Sequence, residues 1–108
     1  MSWEEHRKHP RFLTAVPVLI FGDLFDTKGH TVNLSRGGGV IAAAYAPEKG
    51  QHLHLLLQVP TPGVAIKIPL VVVRWIAPGL FGVEFIRLSG PDQTRLHHYL
   101  RVIDLSPP

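Results

Sequence analysis

The chain has 108 residues, of which 45% are hydrophobic and 18% charged, a composition typical of one globular domain and not of a disordered segment. Its net charge of +3, with seven histidines counted as neutral, favours an anionic partner weakly. The absence of cysteine excludes disulfides and thiolate chemistry. The longest apolar run, residues 12–21, is too short to span a bilayer, and no apolar signal region precedes it, so we predict a cytoplasmic protein without membrane insertion.

A charged leader, residues 1–11, precedes the first core-like segment. A capping pattern predicts a short helical turn over residues 2–9, and Pro10 disfavours its continuation. Arg7 and Arg11 are therefore expected on a bent or mobile connector rather than on one helix face. A guanidinium group can grip a phosphate or the acceptor edge of guanine. The leader could clamp an anionic ligand, or it could be a solvated charge run.

Short segments punctuated by ten glycines and ten prolines follow, a pattern typical of a β-sandwich or barrel. About six strands are predicted, over residues 12–22, 29–34, 39–45, 51–59, 64–76 and 79–88. Pro69 predicts an edge or a bulge in the fifth of these. Trp75, Phe81 and Phe85 are expected to fill the core, although Trp75 could instead border a ligand site.

The clearest strand is "QHLHLLLQV", residues 51–59, where leucines alternate with polar residues. Its alternation places Leu53, Leu55, Leu57 and Val59 on one face. The tail then changes to the spacing of an amphipathic helix over residues 91–104, with apolar positions at Leu96, Tyr99, Leu100 and Ile103. The predicted fold is a small all-β barrel with a C-terminal helix, spanning residues 12–105.

The segment "NLSRGGG", residues 33–39, joins two predicted strands. Asn33 offers a donor and an acceptor, and Ser35 offers a hydroxyl on the same strand face. The glycines of residues 37–39 can adopt positive φ and let a ligand approach the backbone closely. The other interpretation is a tight turn with polar residues at its start.

Together these segments resemble the PilZ domain family: Arg-x-x-x-Arg in "HRKHPRF", Asn-x-Ser-x-x-Gly in "NLSRGGG", and "VRWI" then "GLFGVEF" before a terminal helix. The resemblance implies a six-stranded antiparallel barrel that acts as a bacterial receptor for cyclic di-GMP. It assigns Arg7 and Arg11 to the guanine edges and phosphates of the ligand. It assigns Asn33 and Ser35 to a guanine, and Gly38 to the space that the base occupies.

The residue before the first motif arginine is often another arginine in this family, whereas this chain has His6. That position bears on whether one ligand molecule or a stacked pair binds, so the resemblance leaves the stoichiometry open. Asn33 replaces the commoner aspartate, which the family pattern accepts. Further ligand contacts are expected from residues next to the motifs and from one aromatic side chain: His6, Lys8, Arg36, Gly37 and Trp75.

No P-loop, dinucleotide fingerprint or nucleophile motif occurs, so we expect no catalytic residue and no cofactor other than the ligand. No metal site is expected, because the pairs His52 and His54, and His97 and His98, lack a third ligand. The leading hypothesis is a non-enzymatic cyclic di-GMP receptor, monomeric or homodimeric, that signals to a protein partner. The alternative is an adaptor that acts by protein contact without nucleotide. A barrel for DNA or RNA would need aromatic residues alternating with basic ones on an exposed strand, which we do not find.

Overall fold

The computed structural model describes residues 10–24, 26–60 and 65–105, with the backbone alone at Leu105. The helical turn predicted over residues 2–9 lies outside the described residues, as do the predicted ligand contacts His6, Arg7 and Lys8.

The described chain forms seven strands and one helix. The elements are β1 (Phe12–Leu13), β2 (Pro17–Phe21), β3 (Asp26–Leu34), β4 (Gly38–Ala43), β5 (His52–Leu57), β6 (Ile66–Ala77), β7 (Leu80–Arg87) and α1 (Gly90–Leu105).

The strands close into an antiparallel barrel. Six of them are neighbours in the order β3-β2-β5-β6-β7-β4, and pairing between β3 and β4 closes the ring. The short strand β1 pairs with the end of β3 that β2 does not cover. The predicted six-stranded barrel with a C-terminal helix is therefore confirmed, with one extra strand.

The strand predicted over residues 12–22 is wrong in one respect, because it is interrupted between β1 and β2. Thr31, fully buried on β3, bridges the interruption by accepting the Val16 N–H at 2.9 Å and meeting the Thr14 hydroxyl at 2.5 Å. The Thr31 N–H in turn donates to the Val16 carbonyl at 2.9 Å. These contacts satisfy buried polar groups that the irregular backbone would otherwise leave unpaired.

The barrel interior holds the apolar side chains that the alternation predicted. Leu53, Leu55 and Leu57 are at most 3% exposed, whereas His52, which precedes them, is exposed and the intervening His54 and Leu56 are partly buried. Pro69 lies where the register of β5 against β6 shifts between Leu53 and Leu55, so the predicted bulge is confirmed. Proline has no N–H for the ladder, and the bulge removes the need for one.

Helix α1 packs across one end of the barrel through Leu96 and Leu100, both part of the core. Ser89 caps its first turn, since the Ser89 hydroxyl accepts the Asp92 N–H at 3.1 Å. The helix begins within one residue of its predicted start, but this cap was not predicted. Within the described ranges, no helix has the length and apolar character needed to cross a membrane.

Candidate ligand-binding site

The "NLSRGGG" segment forms the turn between β3 and β4, and Ser35 organises it. The Ser35 N–H donates to the Gly38 carbonyl at 2.8 Å, and its hydroxyl donates to the same oxygen at 3.2 Å. The hydroxyl also accepts the Gly37 N–H at 3.2 Å, and Ser35 is 5% exposed. Because β3 ends at Leu34, Ser35 does not project from a strand face beside Asn33, and that part of the prediction is wrong.

The glycines after Ser35 are required by close packing rather than by unusual backbone angles. Among the described residues, positive φ occurs at Gly50 and Gly79 and not in the turn, so residues 37–39 do not use the conformational freedom that glycine allows. A Cβ on Gly38 would overlap the carbonyl oxygen of Val83 on β7. One on Gly39 would lie 2.7 Å from the carbonyl oxygen of Asn33.

The short strand β1 brings Arg11, the residue before it, to Asn33. Leu13 lies opposite Asn33 in the β1–β3 register, which places Arg11 near the end of β3. Arg11 Nη1 donates to Asn33 Oδ1 at 3.2 Å across 22 residues of sequence. Leu34 is buried in the core, so Asn33 faces the outside of the barrel. Arg11 from the first predicted motif and Asn33 from the second therefore meet on the outer barrel surface.

Trp75 lies on the same outer face, so its predicted place in the core is wrong. Uninterrupted alternation would have put Trp75 with the buried Val71 and Val73, but the β6–β7 register shifts between Val73 and Trp75. The shift turns the indole outward, where it covers Gly82 so closely that a Cβ there would overlap the ring. Trp75 is 39% exposed.

A row of paired residues connects Trp75 with Asn33. Asn33 lies opposite Val40 on β4, and Val40 lies opposite Gly82 on β7, over which the indole rests. Gly82 is thus two strand spacings, roughly 10 Å, from Asn33. An amide, a guanidinium and an exposed indole are therefore arranged across roughly 10 Å of the outer barrel surface.

A second feature of the candidate site is a contact between Arg36 and His97. Arg36 Nε donates to His97 Nε2 at 2.9 Å, which links the β3–β4 turn to helix α1. The pair separates two grooves. The first groove, about 330 Å³, is lined by Pro10, Phe12, Arg36, His97, Leu100, Arg101 and Asp104. The second groove, about 290 Å³, is lined by Arg36, Gly37, Phe85, Ile86, Leu88, Gln93 and His97.

Two arginines near the turn have different kinds of partner. Arg74 and Glu84 form an ion pair at 2.5 Å on the outer face of β6 and β7, with both side chains about half exposed. Such an exposed pair contributes about 0–1 kcal/mol to stability. Arg36, by contrast, donates a hydrogen bond to the imidazole of His97. The part of the chain that the structure describes contains no group of three or more His, Cys, Asp or Glu side chains arranged to hold a metal ion.

His97 and Gly82 belong to this surface although the sequence did not predict them there. His97 was interpreted as a surface histidine, and nothing in its helical spacing indicates a contact with Arg36, 61 residues away. The glycine in "GLFGVEF" is a weak signal for the flat surface under Trp75.

Comparison with known proteins yields one family. The sequence model of the PilZ domain matches residues 5–101. The structure of the Bacillus subtilis inhibitor of motility (MotI/DgrA) aligns with a TM-score of 0.75 at 22% identity, covering 94% of this chain and 53% of that one. This chain therefore spans about half the length of the Bacillus protein. The PilZ domain of CeSA from a cellulose-synthesising bacterium aligns with a TM-score of 0.65 at 13% identity, covering 88% of this chain and 95% of that one. No curated protein matches the chain.

Proposed function

The chain belongs to the PilZ domain family, a family of cyclic di-GMP receptors, and we propose that it binds cyclic di-GMP on the outer barrel surface around Arg11 and Asn33. The binding is non-enzymatic, and the bound state is passed on to a protein partner in the cytoplasm.

The hydrogen bond between Arg11 and Asn33 is the observation that carries the proposal. It joins one residue of the Arg-x-x-x-Arg motif to one of the Asn-x-Ser-x-x-Gly motif at 3.2 Å. A guanidinium donates to the O6 and N7 acceptors of guanine, and an amide can donate and accept along a base edge. The two groups are hydrogen-bonded to each other in the structure, and a guanine would offer polar atoms of its own to both.

Trp75 supports a site for a base on the same face. Trp75 is 39% exposed, and its indole lies close enough over Gly82 to exclude a Cβ there. Stacking of a base on an aromatic ring contributes about 1–3 kcal/mol. With Arg11 and Asn33 at one edge and Trp75 two strands away, the surface offers polar contacts for one part of a dinucleotide and a stacking surface for another.

The proposed roles of the remaining motif residues rest on sequence spacing for the leader and on the turn contacts for Ser35, Gly37 and Gly38. Arg7 lies outside the described residues and is proposed as the second motif arginine because of its sequence spacing alone. His6 and Lys8 belong to the same segment, and the stoichiometry of one or two ligand molecules depends on it. Ser35 keeps the β3–β4 turn in shape, and Gly37 and Gly38 present its backbone at the edge of the site.

Titration calorimetry with cyclic di-GMP tests the proposal on the parent protein and Arg11→Ala. Loss of a charge-assisted hydrogen bond costs about 1.5–3 kcal/mol, so we expect the variant to bind about ten- to hundredfold more weakly. Lys49→Ala is the matched control, because it removes the same charge from the loop at the opposite end of β4 and should bind like the parent.

Two results would contradict the proposal. A parent protein that does not bind cyclic di-GMP would refute nucleotide recognition and leave the adaptor function, which needs protein contact alone. An Arg11→Ala variant that binds as tightly as the parent would show that the ligand lies elsewhere on the barrel.

A further inference from the structure

The contact between Arg36 and His97 is specific in its direction. Arg36 Nε is the donor and His97 Nε2 the acceptor, at 2.9 Å. A guanidinium remains protonated and cannot accept a hydrogen bond. An accepting Nε2 carries no proton, so this contact requires the neutral imidazole with its ring proton on Nδ1.

This contact fixes an arginine that would otherwise be a flexible, exposed side chain. Arg36 lies between Ser35 and Gly37 in the β3–β4 turn, and it is exposed. With Nε occupied by His97, both terminal nitrogens of the guanidinium retain donors for an anion. The rest of the fork is thus held in place in the turn that begins just after Asn33 and Leu34.

We infer that His97 is a positioning residue for nucleotide binding: it holds Arg36 so that the terminal nitrogens donate to a phosphate of the ligand, and protonation of His97 releases that arginine. The inference rests on the proposed function, and it adds a phosphate contact and a pH dependence. Because Arg36 is already ordered before binding, its contact with the ligand costs less conformational entropy.

The charged groups around His97 determine how its protonation affects the hydrogen bond with Arg36. The turn contributes Arg36 to the first groove, and helix α1 contributes Arg101 and Asp104. The uncharged Phe12 of β1 and Pro10, which precedes β1, complete its lining with Leu100 and His97 itself. In the second groove, the side chains that face His97 from β7 and α1 are uncharged. A protonated His97 would lose its acceptor and add a third positive charge to a site with one carboxylate among its described residues. The contact therefore breaks as the pH falls.

The tautomer of His97 tests the contact without nucleotide. In the ¹⁵N-labelled parent at about pH 8, long-range nitrogen–proton NMR spectra should show His97 with its proton on Nδ1. Arg36→Ala removes the donor and should abolish this preference. Because Arg36 is exposed, that variant is expected to fold. A parent in which His97 carries its proton on Nε2 would overturn the inference.

The affinity for cyclic di-GMP tests the function of the contact. Calorimetry at about pH 8 and about pH 5.5 spans the ordinary titration range of histidine, and the ligand has no group that titrates there. The parent should bind about three- to tenfold more weakly at the lower pH, the range expected for loss of one hydrogen bond. His97→Gln should lose this pH dependence, because its amide oxygen accepts from Arg36 at either pH. His98→Gln, the neighbouring exposed histidine, is the control and should follow the parent.

The outcomes separate this inference from the proposed function. Absence of binding by the parent at both pH values would refute the proposed function, and the phosphate contact with it. The inference alone would be overturned by a different result. In that case the parent binds, His97→Gln shows the same pH dependence as the parent, and Arg36→Ala binds with the same affinity as the parent. The comparison of the parent with His97→Gln isolates the part of the pH dependence that His97 itself causes.

Discussion

At the scale of single residues, Gly38 combines a motif position with a packing requirement. It lies at the start of β4 opposite Glu84 of β7, and a Cβ would overlap the Val83 carbonyl oxygen. Backbone atoms cannot move aside as the end of a flexible side chain can. The barrel therefore needs a glycine here whether or not a ligand is bound, and loss of binding on substitution does not by itself indicate a ligand contact.

We predict that Gly38→Ala destabilises the free protein. Forcing a methyl group against the β7 backbone should cost about 1–3 kcal/mol, the range measured for overpacked interiors. Urea unfolding measures the change in the free energy of unfolding. Gly90→Ala is the control, because a Cβ there meets nothing within 4 Å, and its effect should stay within about 0.5 kcal/mol. Equal stability of Gly38→Ala and the parent would show that β4 and β7 can separate without cost.

At the scale of elements, Asp92 joins helix α1 to the barrel. One carboxylate oxygen accepts from the Lys67 N–H of β6 at 3.2 Å and from Arg95 at 2.5 Å, and the other accepts from the Ser89 hydroxyl at 2.8 Å. Burial alone would raise the pKa of Asp92, but the hydrogen bonds from Arg95, Ser89 and Lys67 outweigh it and lower that pKa below its ordinary value of 3.8. The carboxylate is thus bound more strongly in its ionised form.

This pKa shift has a predictable effect on stability. Because the pKa of Asp92 is lower in the folded state, its stabilising contribution is fully present above the unfolded value of 3.8 and is lost as the pH falls through the folded value. At neutral pH, Asp92→Asn should be less stable than the parent by about 1–3 kcal/mol.

Urea unfolding across the acid range measures this prediction. The stability difference between the parent and Asp92→Asn should be constant near neutral pH and should shrink as the pH falls below 3.8. Asp104→Asn, an exposed position on the same helix, is the control at neutral pH and should change stability by about 0.5 kcal/mol or less. A difference that does not depend on pH would show that the charge of Asp92 does not anchor the helix.

At the scale of the whole molecule, ligand binding should stabilise the fold as a unit, since the proposed contacts come from the connector before β1, from β3 and from β6. A ligand at about 100 times its dissociation constant adds roughly 2.7 kcal/mol to the stability of the native state. For a domain of this size, the unfolding midpoint should rise on the order of ten degrees.

A thermal shift assay with cyclic di-GMP measures this increase, and GMP is the control. The mononucleotide cannot reach Arg11 and Asn33 at one edge and Trp75 at the other together, so it should produce little shift. A parent without a shift at millimolar cyclic di-GMP would contradict the proposed receptor function, whereas equal shifts with both nucleotides would indicate a site for one base only.

The sequence by itself determined the parts of the fold that depend on local patterns. The alternation in residues 51–59 correctly placed Leu53, Leu55 and Leu57 in the core, because each burial depends only on the period of a strand. The bulge at Pro69 and the helix near residues 91–104 were predictable for the same reason, since a missing N–H and an apolar repeat are local properties. The family was likewise indicated by motif spacing, because each motif is a short run of neighbouring residues.

Only the tertiary structure decided what depends on contacts between distant segments. Trp75 faces outward because a register shift between β6 and β7 interrupts the alternation, and a shift of one residue exchanges the two faces of a strand. Arg36 meets His97 only because closure of the barrel brings α1 to the β3–β4 turn. Gly38 is fixed by Val83, which lies far along the chain. Register and closure follow from the sum of many strand contacts, and no single segment of the sequence carries that information.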